Sequence, residues 1–275
     1  MTGVTTRRYT PPMLTYSLEG RNAIVCGSTQ GIGRACAIEF ARLGAAVTLM
    51  ARNADGLAKV LAELPRDHKQ THRTIEADFG DWKAVQQKAA SHIAAHGPIH
   101  ILVNNTGGPP AGPIHEAQPD DFLKAMSQHI ACNQVLAQTV APGMRDAKYG
   151  RIINIISTSV LMPIKGLGVS NTVRAAVANW ARTLAAEVAP LGITVNNLLP
   201  GYTRTARLES LIKGRASRAG STPEEVERDM IASVPAKRFG SPEEIAAVAA
   251  FLASPAASYV NGVNLPVDGG RLAAM

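Results

Sequence analysis

What most restricts this chain is a repeated alternation of short, nearly unbroken apolar runs with longer segments of helical period. "NAIVCG" is followed by "GIGRACAIEFARLG", "AAVTLMA" by "NADGLAKVLAELP", "HRTIEAD" by "WKAVQQKAASHIAAHG", and "IHILVNN" by a long helix within 119–148. "GRIINIIS" then precedes a helix from about 171 to 189, "ITVNNLLP" comes before the final helix "PEEIAAVAAFLAS", and "GVNLPVD" closes the series. Apolar runs that do not alternate with polar residues mark strands covered on both faces. Helices supply the cover, and right-handed crossovers make the whole an α/β, doubly wound parallel sheet. Residues 18–275 read as one domain, with no second domain and no repeat of solenoid period. Residues 1–17 read as a loosely held arm. The one long irregular piece, 203–238, exceeds an ordinary connector and reads as a substrate lid.

Between the first strand and the first helix stands "CGSTQGIG", with Gly27, Gly31 and Gly33 at the turn. Glycine there lets the backbone turn tightly and approach a pyrophosphate, while the helix N-terminus offers unpaired N–H groups and a positive dipole end. The second strand ends at Ala51-Arg52, where an acid would accept from the adenosine ribose hydroxyls of NAD(H). A cation at that place suits a 2′-phosphate, so NADP(H) is expected in preference to NAD(H). Asp78, after the third strand, is placed to accept from the adenine amino group. Asn104, Asn105, Thr106 and Gly107 end the fourth strand and give another close backbone approach.

Taken together, "GSTQGIG", "LVNNTGG", "GRIINIIS", "ITVNNLLPGYTRT", "RFGSPEEIAAVAAFLAS" and "NGVNLPVDGG" resemble the short-chain dehydrogenase/reductase family from about residue 18 to residue 270. The resemblance implies a single-domain Rossmann subunit assembled as a homo-oligomer, tetramer or dimer. It also implies a bound nicotinamide dinucleotide and hydride transfer between it and a carbonyl or alcohol. It extends the cofactor-binding set to Ser28, Thr29, Ile32, Phe79, Pro200, Gly201 and Thr203.

The family completes that reaction with Asn, Ser, Tyr and Lys, since hydride transfer to a carbonyl creates an alkoxide that needs a proton donor and a stabiliser. Carried over residue by residue, the Ser falls on Ser157. The Tyr, thirteen residues on, falls on Ser170, and the Lys four later on Arg174. The Asn falls on His129, with Asn133 as the substitute if the alignment slips. A phenol titrates near 10 and a cation can lower it, whereas an alkyl hydroxyl is far less acidic. Arg174 keeps the charge and can still hold the ribose hydroxyls, but it does not give up a proton. Replacement donors are His129, Lys165, Tyr202 or a water held by Ser157 and Ser170. Two readings follow: an oxidoreductase with an atypical proton donor, or a catalytically silent dinucleotide-binding protein serving as sensor or assembly partner.

The remaining features narrow the partners. Arg204, Arg207, Lys213, Arg215 and Arg218 of the lid either greet an anionic substrate or form a solvated face balanced by Glu209, Glu224, Glu225 and Glu227. The formal charge of +7 comes from dispersed residues without an aromatic-interleaved basic patch, which argues against a nucleic-acid partner. No apolar run approaches the roughly 18 residues of a membrane helix, and the first residues lack the apolar centre of a secretion signal. Cys26, Cys36 and Cys132 show no metal-ligand spacing and read as core residues in a reducing cytoplasm.

Overall fold

The structure, a computed structural model, describes residues 15–274, so most of the expected N-terminal arm lies outside the described residues. Seven strands run β1 Asn22–Cys26, β2 Ala46–Ala51, β3 Arg73–Glu76, β4 Ile101–Asn104, β5 Gly150–Ile155, β6 Ile193–Pro200 and β7 Asn264–Val267. They pair in parallel, in the order β3-β2-β1-β4-β5-β6-β7. The main helices are α1 Gly31–Arg42, α2 Ala54–Glu63, α3 Trp82–His96, α4 Pro119–Met126, α5 Cys132–Asp146, α6 Gly168–Val188, α7 Ala206–Ala219, α8 Pro223–Ala232 and α9 Pro242–Ala253.

Every residue of β4, β5 and β6 is buried, as the unbroken apolar runs require. Successive side chains point to opposite faces, and two core layers result. Val25, Leu49, Ile101, Val103, Ile153 and Leu198 pack with Phe40 of α1 and Leu252 of α9. Ile24, Met50, Leu102, Ile152 and Val195 pack with Val85 of α3, Leu136 of α5 and Ala181 of α6. All three cysteines are buried and free.

Residues 203–238 are not irregular. They hold α7 and α8, each started by a threonine: Thr205 accepts from the Leu208 N–H, and Thr222 with Glu225 closes a capping box ahead of Pro223. Gly220, at φ 64°, ends α7 in the left-handed conformation. Only Leu208, Ile212 and Ala216 of α7 are buried, which is why so polar a segment hid its helical period. Leu208, Ile212, Met230 and Phe239 form a small core of their own beneath the two helices. The expected long helix within 119–148 is α4 and α5 joined by a π-helical turn at Ser127–Ala131.

A row of amides crosses the apolar sheet. Asn104 Nδ2 donates to Asn154 Oδ1, Asn154 Nδ2 to Asn197 Oδ1, and Asn197 Nδ2 to Asn264 Oδ1, each at 2.8 Å. The four residues face one another in register on β4, β5, β6 and β7. An amide both donates and accepts, so the row links four neighbouring strands side by side, from the last residue of β4 to the first residue of β7.

Candidate active site

The sheet order reverses direction between β1 and β4, and the crevice beyond their carboxyl ends is where such sheets take ligands. Gly27 ends β1 with φ 59°, and Gly31 opens α1 with φ 53°. A side chain on Gly27 would drive into the Asn105 carbonyl, and one on Gly33 into the Gly27 carbonyl. These positions are glycine because backbone meets backbone. Asn105 completes the closure, donating through Nδ2 to the carbonyls of Cys26 at 3.2 Å and Gly27 at 3.3 Å. Its side chain therefore serves the frame of the crevice.

Helix α1 has no side-chain cap and no acid in its first turn. By contrast, α2, α3, α7, α8 and α9 each have a cap from Asn53, Asp81, Thr205, Thr222 or Ser241. The Ser28 hydroxyl is buried in the same turn with no partner among the described residues. An uncapped N-terminus, an unpartnered hydroxyl and glycines that admit close approach fit the diphosphate of a dinucleotide.

Around this turn the other predicted contacts fall into place unevenly. Arg52 is exposed just past β2, and among the described residues it has no carboxylate within 4.0 Å. Asp78 is exposed and accepts from the Gly80 N–H at 2.9 Å, while Phe79 leans on the core and takes the Cys132 thiol on its carbonyl. Thr29 packs toward Gly56 of α2. Across the crevice Thr205 sits over Gly31, 3.2 Å from where a Cβ would stand. Gly201 passes so close to Asp268 that a Cβ would come within 2.7 Å of its Cα, and Thr203 is buried beside it.

The second wall is built from β5, the π turn and α6. Arg174, in the second turn of α6, donates through Nη1 to the carbonyls of Ile155 at 3.3 Å and Ile156 at 2.9 Å. Its Nε donates to Ser170 Oγ at 3.2 Å. One side chain thus joins the expected proton-donor position to the end of β5, next to Ser157. Ser157 Oγ accepts from the Ser159 N–H at 3.1 Å. Each serine hydroxyl accepts one hydrogen bond there and keeps its own proton to donate. Burial, reinforced by the Arg207 guanidinium, lowers the Arg174 pKa to about 10, still far above neutrality.

The π turn places His129 in this wall, 4% exposed, with Nδ1 at 2.9 Å from Thr106 Oγ1. Its Nε2 is buried without a partner among the described residues. Desolvation, then the Arg174 charge, pushes its pKa down to about 3, against a weaker pull from the Gly107 main chain. His129 is an uncharged imidazole at neutral pH and holds no ready proton to give. Among the other expected replacements, Lys165 is exposed. Tyr202 packs edge-on against Phe239 and under Arg271, an anchoring role in the small core beneath α7 and α8. Asn133 is buried on α5 beyond the π turn.

Gly108 escaped the sequence reading of this wall, and Arg207, expected as one of several basic residues at the entrance, was not expected to reach it. Arg207, in the first turn of α7, donates to the Pro109 carbonyl at 2.7 Å and so pins α7 to the loop after β4. Nothing local in sequence could reveal that, because the two residues are 98 apart.

Residues 27–271 match the family described as "Enoyl-(Acyl carrier protein) reductase". The chain belongs to the short-chain dehydrogenase/reductase family. Its members are oxidoreductases, and the similarity extends nearly end to end. The 3-oxoacyl-[acyl-carrier-protein] reductase FabG of Pseudomonas aeruginosa is 33% identical over 92% of this chain and 98% of its own length. The NADPH-dependent reductase BacG of Bacillus subtilis is 29% identical over 92% of this chain and 98% of its own. In three dimensions, the L-sorbose reductase of Gluconobacter frateurii, solved with NADPH and L-sorbose, superposes with a TM-score of 0.87 at 31% identity. That match covers 94% of this chain and 98% of the reductase.

Proposed function

We propose that this protein is an NADP(H)-dependent oxidoreductase that moves a hydride between the nicotinamide and the carbonyl/alcohol pair of a small-molecule substrate, using a proton-delivery group other than a tyrosine. The observation that carries the reading is the β1–α1 turn, where Gly27 and Gly33 leave no room for a side chain and α1 stands uncapped. Arg52, exposed and without a carboxylate partner among the described residues, supports a 2′-phosphate. NADPH on the two relatives named above supports the same choice.

A bound dinucleotide would supply or accept the hydride. Ser157 and Ser170 donate their free hydroxyl protons to the substrate oxygen, and the nearby Arg174 charge favours the alkoxide that develops there. Neither serine surrenders its proton outright at neutral pH. The proton that completes the alcohol comes from water exchanging at Ser170. A cytoplasmic location, a homo-oligomeric assembly and the absence of a nucleic-acid partner belong to the same reading. No helix among the described residues is long and apolar enough to cross a membrane.

The second reading, a silent dinucleotide-binding protein, draws on His129 being held uncharged and on Ser170 being tied to Arg174. Fluorescence titration with NADPH, followed by turnover over ketones, aldehydes and alcohols, separates the two. Turnover that falls when Ser157 is changed to Ala supports the enzyme. Tight NADPH binding with no oxidation on any substrate supports the silent protein, and failure to bind either dinucleotide removes both. Arg52→Asp is expected to shift the NADPH/NADH affinity ratio by on the order of tenfold or more, the worth of a charge-assisted contact. An unchanged ratio refutes the 2′-phosphate assignment.

A further inference from the structure

Two guanidinium groups converge at one point of the cleft. Nη2 of Arg174 lies 3.3 Å, and Nη2 of Arg207 3.5 Å, from where a Cβ on Gly108 would stand. Arg174 already spends Nε on Ser170 and Nη1 on two carbonyls, and Arg207 uses Nη2 on the Pro109 carbonyl. Among the described residues no carboxylate comes within 4.0 Å of either, although Arg204 and Arg238 nearby are paired with Glu227 and Glu244. Like charges brought together without a counter-charge repel and lose hydration. Both groups are shifted accordingly: burial lowers the pKa of each, and Arg207 lowers that of Arg174 further. The fold tolerates this at the junction of three separately built elements: α6, α7 and the loop after β4.

We propose that Arg174 and Arg207 clamp a carboxylate of the substrate over Gly108, making this a site for small oxo- or hydroxy-carboxylic acids. The inference rests on the oxidoreductase reading above and names its substrate class. Guanidinium donors suit a carboxylate, whose two oxygens can take one arginine each. Gly108 is the floor of the clamp. It has no left-handed backbone to explain it, and a methyl group there would stand between the two donors. The same chemistry would also accept a phosphate of the dinucleotide, but the uncapped α1 and the Gly27–Gly33 turn already provide for that group on the opposite wall.

Equilibrium binding tests this without requiring turnover. Acetoacetate, levulinate and 2-oxoglutarate are titrated calorimetrically against their methyl esters, on the protein saturated with NADP⁺ and on the protein alone. At least one acid is expected to bind on the order of 10- to 100-fold more tightly than its ester, the usual worth of a charged hydrogen-bonded pair. Arg207→Met is expected to abolish that preference, and Gly108→Ala to reduce it, with NADPH affinity unchanged in both. Acids and esters binding alike throughout would overturn the proposal. So would a preference that survives Arg207→Met. A loss of NADPH affinity in Arg207→Met with the acid preference intact assigns Arg207 to the dinucleotide and overturns the substrate clamp. Failure of the protein to bind NADP⁺ strikes the oxidoreductase reading alone, because the titrations without dinucleotide still decide the clamp.

Discussion

The β1–α1 turn and the start of α6 lie at the same edge of the same sheet, yet their residues are fixed by different physics. At the turn the constraint is steric: backbone approaches backbone, and Gly27 and Gly33 have no room for a Cβ. At α6 the backbone is an ordinary helix, and what matters is the far end of two side chains. Ser170 and Arg174 can therefore occupy the places where the family resemblance puts a tyrosine and a lysine without any cost to the fold. Arg174 even contributes a tie to the end of β5. A steric requirement persists for as long as the fold does. A chemical requirement can be exchanged at the tip of a side chain while the scaffold stays the same.

The strongest way to break this contrast is to change the exchangeable wall. If α6 is only a carrier for side-chain chemistry, Ser170→Tyr combined with Arg174→Lys should raise kcat for carbonyl reduction. The gain should be on the order of 10²–10⁴, the usual contribution of a positioned acid. Steady-state NADPH oxidation measures it, and an unchanged or lower kcat in a folded, NADPH-binding variant would show that the wall is already matched to another donor. The steric wall should behave oppositely. Gly33→Ala forces a methyl into the Gly27 carbonyl, and such overpacking costs about 1–3 kcal/mol. NADPH affinity should fall on the order of 10- to 100-fold, with a lower Tm. Near-normal values for both would mean that the turn can open, and the steric argument would fail.

The same contrast explains what could be read from sequence. The fully buried strands β4 to β6 announce themselves as "ILVN", "GRIINI" and "ITVNNLLP", and the glycines of the first turn mark a crevice, because both patterns are local. Residues 203–238 looked irregular because α7 and α8 bury few apolar side chains and their threonine caps carry a signal only over four residues. The asparagine row was hidden for another reason: Asn104, Asn154, Asn197 and Asn264 are ordinary until strand register brings them face to face. The π turn that buries His129 and the convergence of Arg174 with Arg207 over Gly108 likewise exist only in three dimensions.

His129, held in the second wall by the π turn, sharpens the comparison by a smaller, pH-dependent effect. Its pKa falls from an ordinary 6.5 to about 3 in the folded protein, chiefly through burial and secondarily through Arg174. Between those two values the unfolded chain binds a proton that the folded one refuses, so acidification favours unfolding. This single group should remove up to about 1.4 kcal/mol of stability per pH unit on descending through that window, and nothing above it. His129→Asn keeps a polar group able to meet Thr106 but cannot titrate. Urea unfolding of both proteins at pH 7.5, 6.0 and 5.0 reads the effect. The variant should gain on the wild type as pH falls below about 6.5, with the difference constant above it. Parallel pH profiles would mean that His129 accepts its proton while folded, and the imidazole would return as a candidate acid beside Ser170.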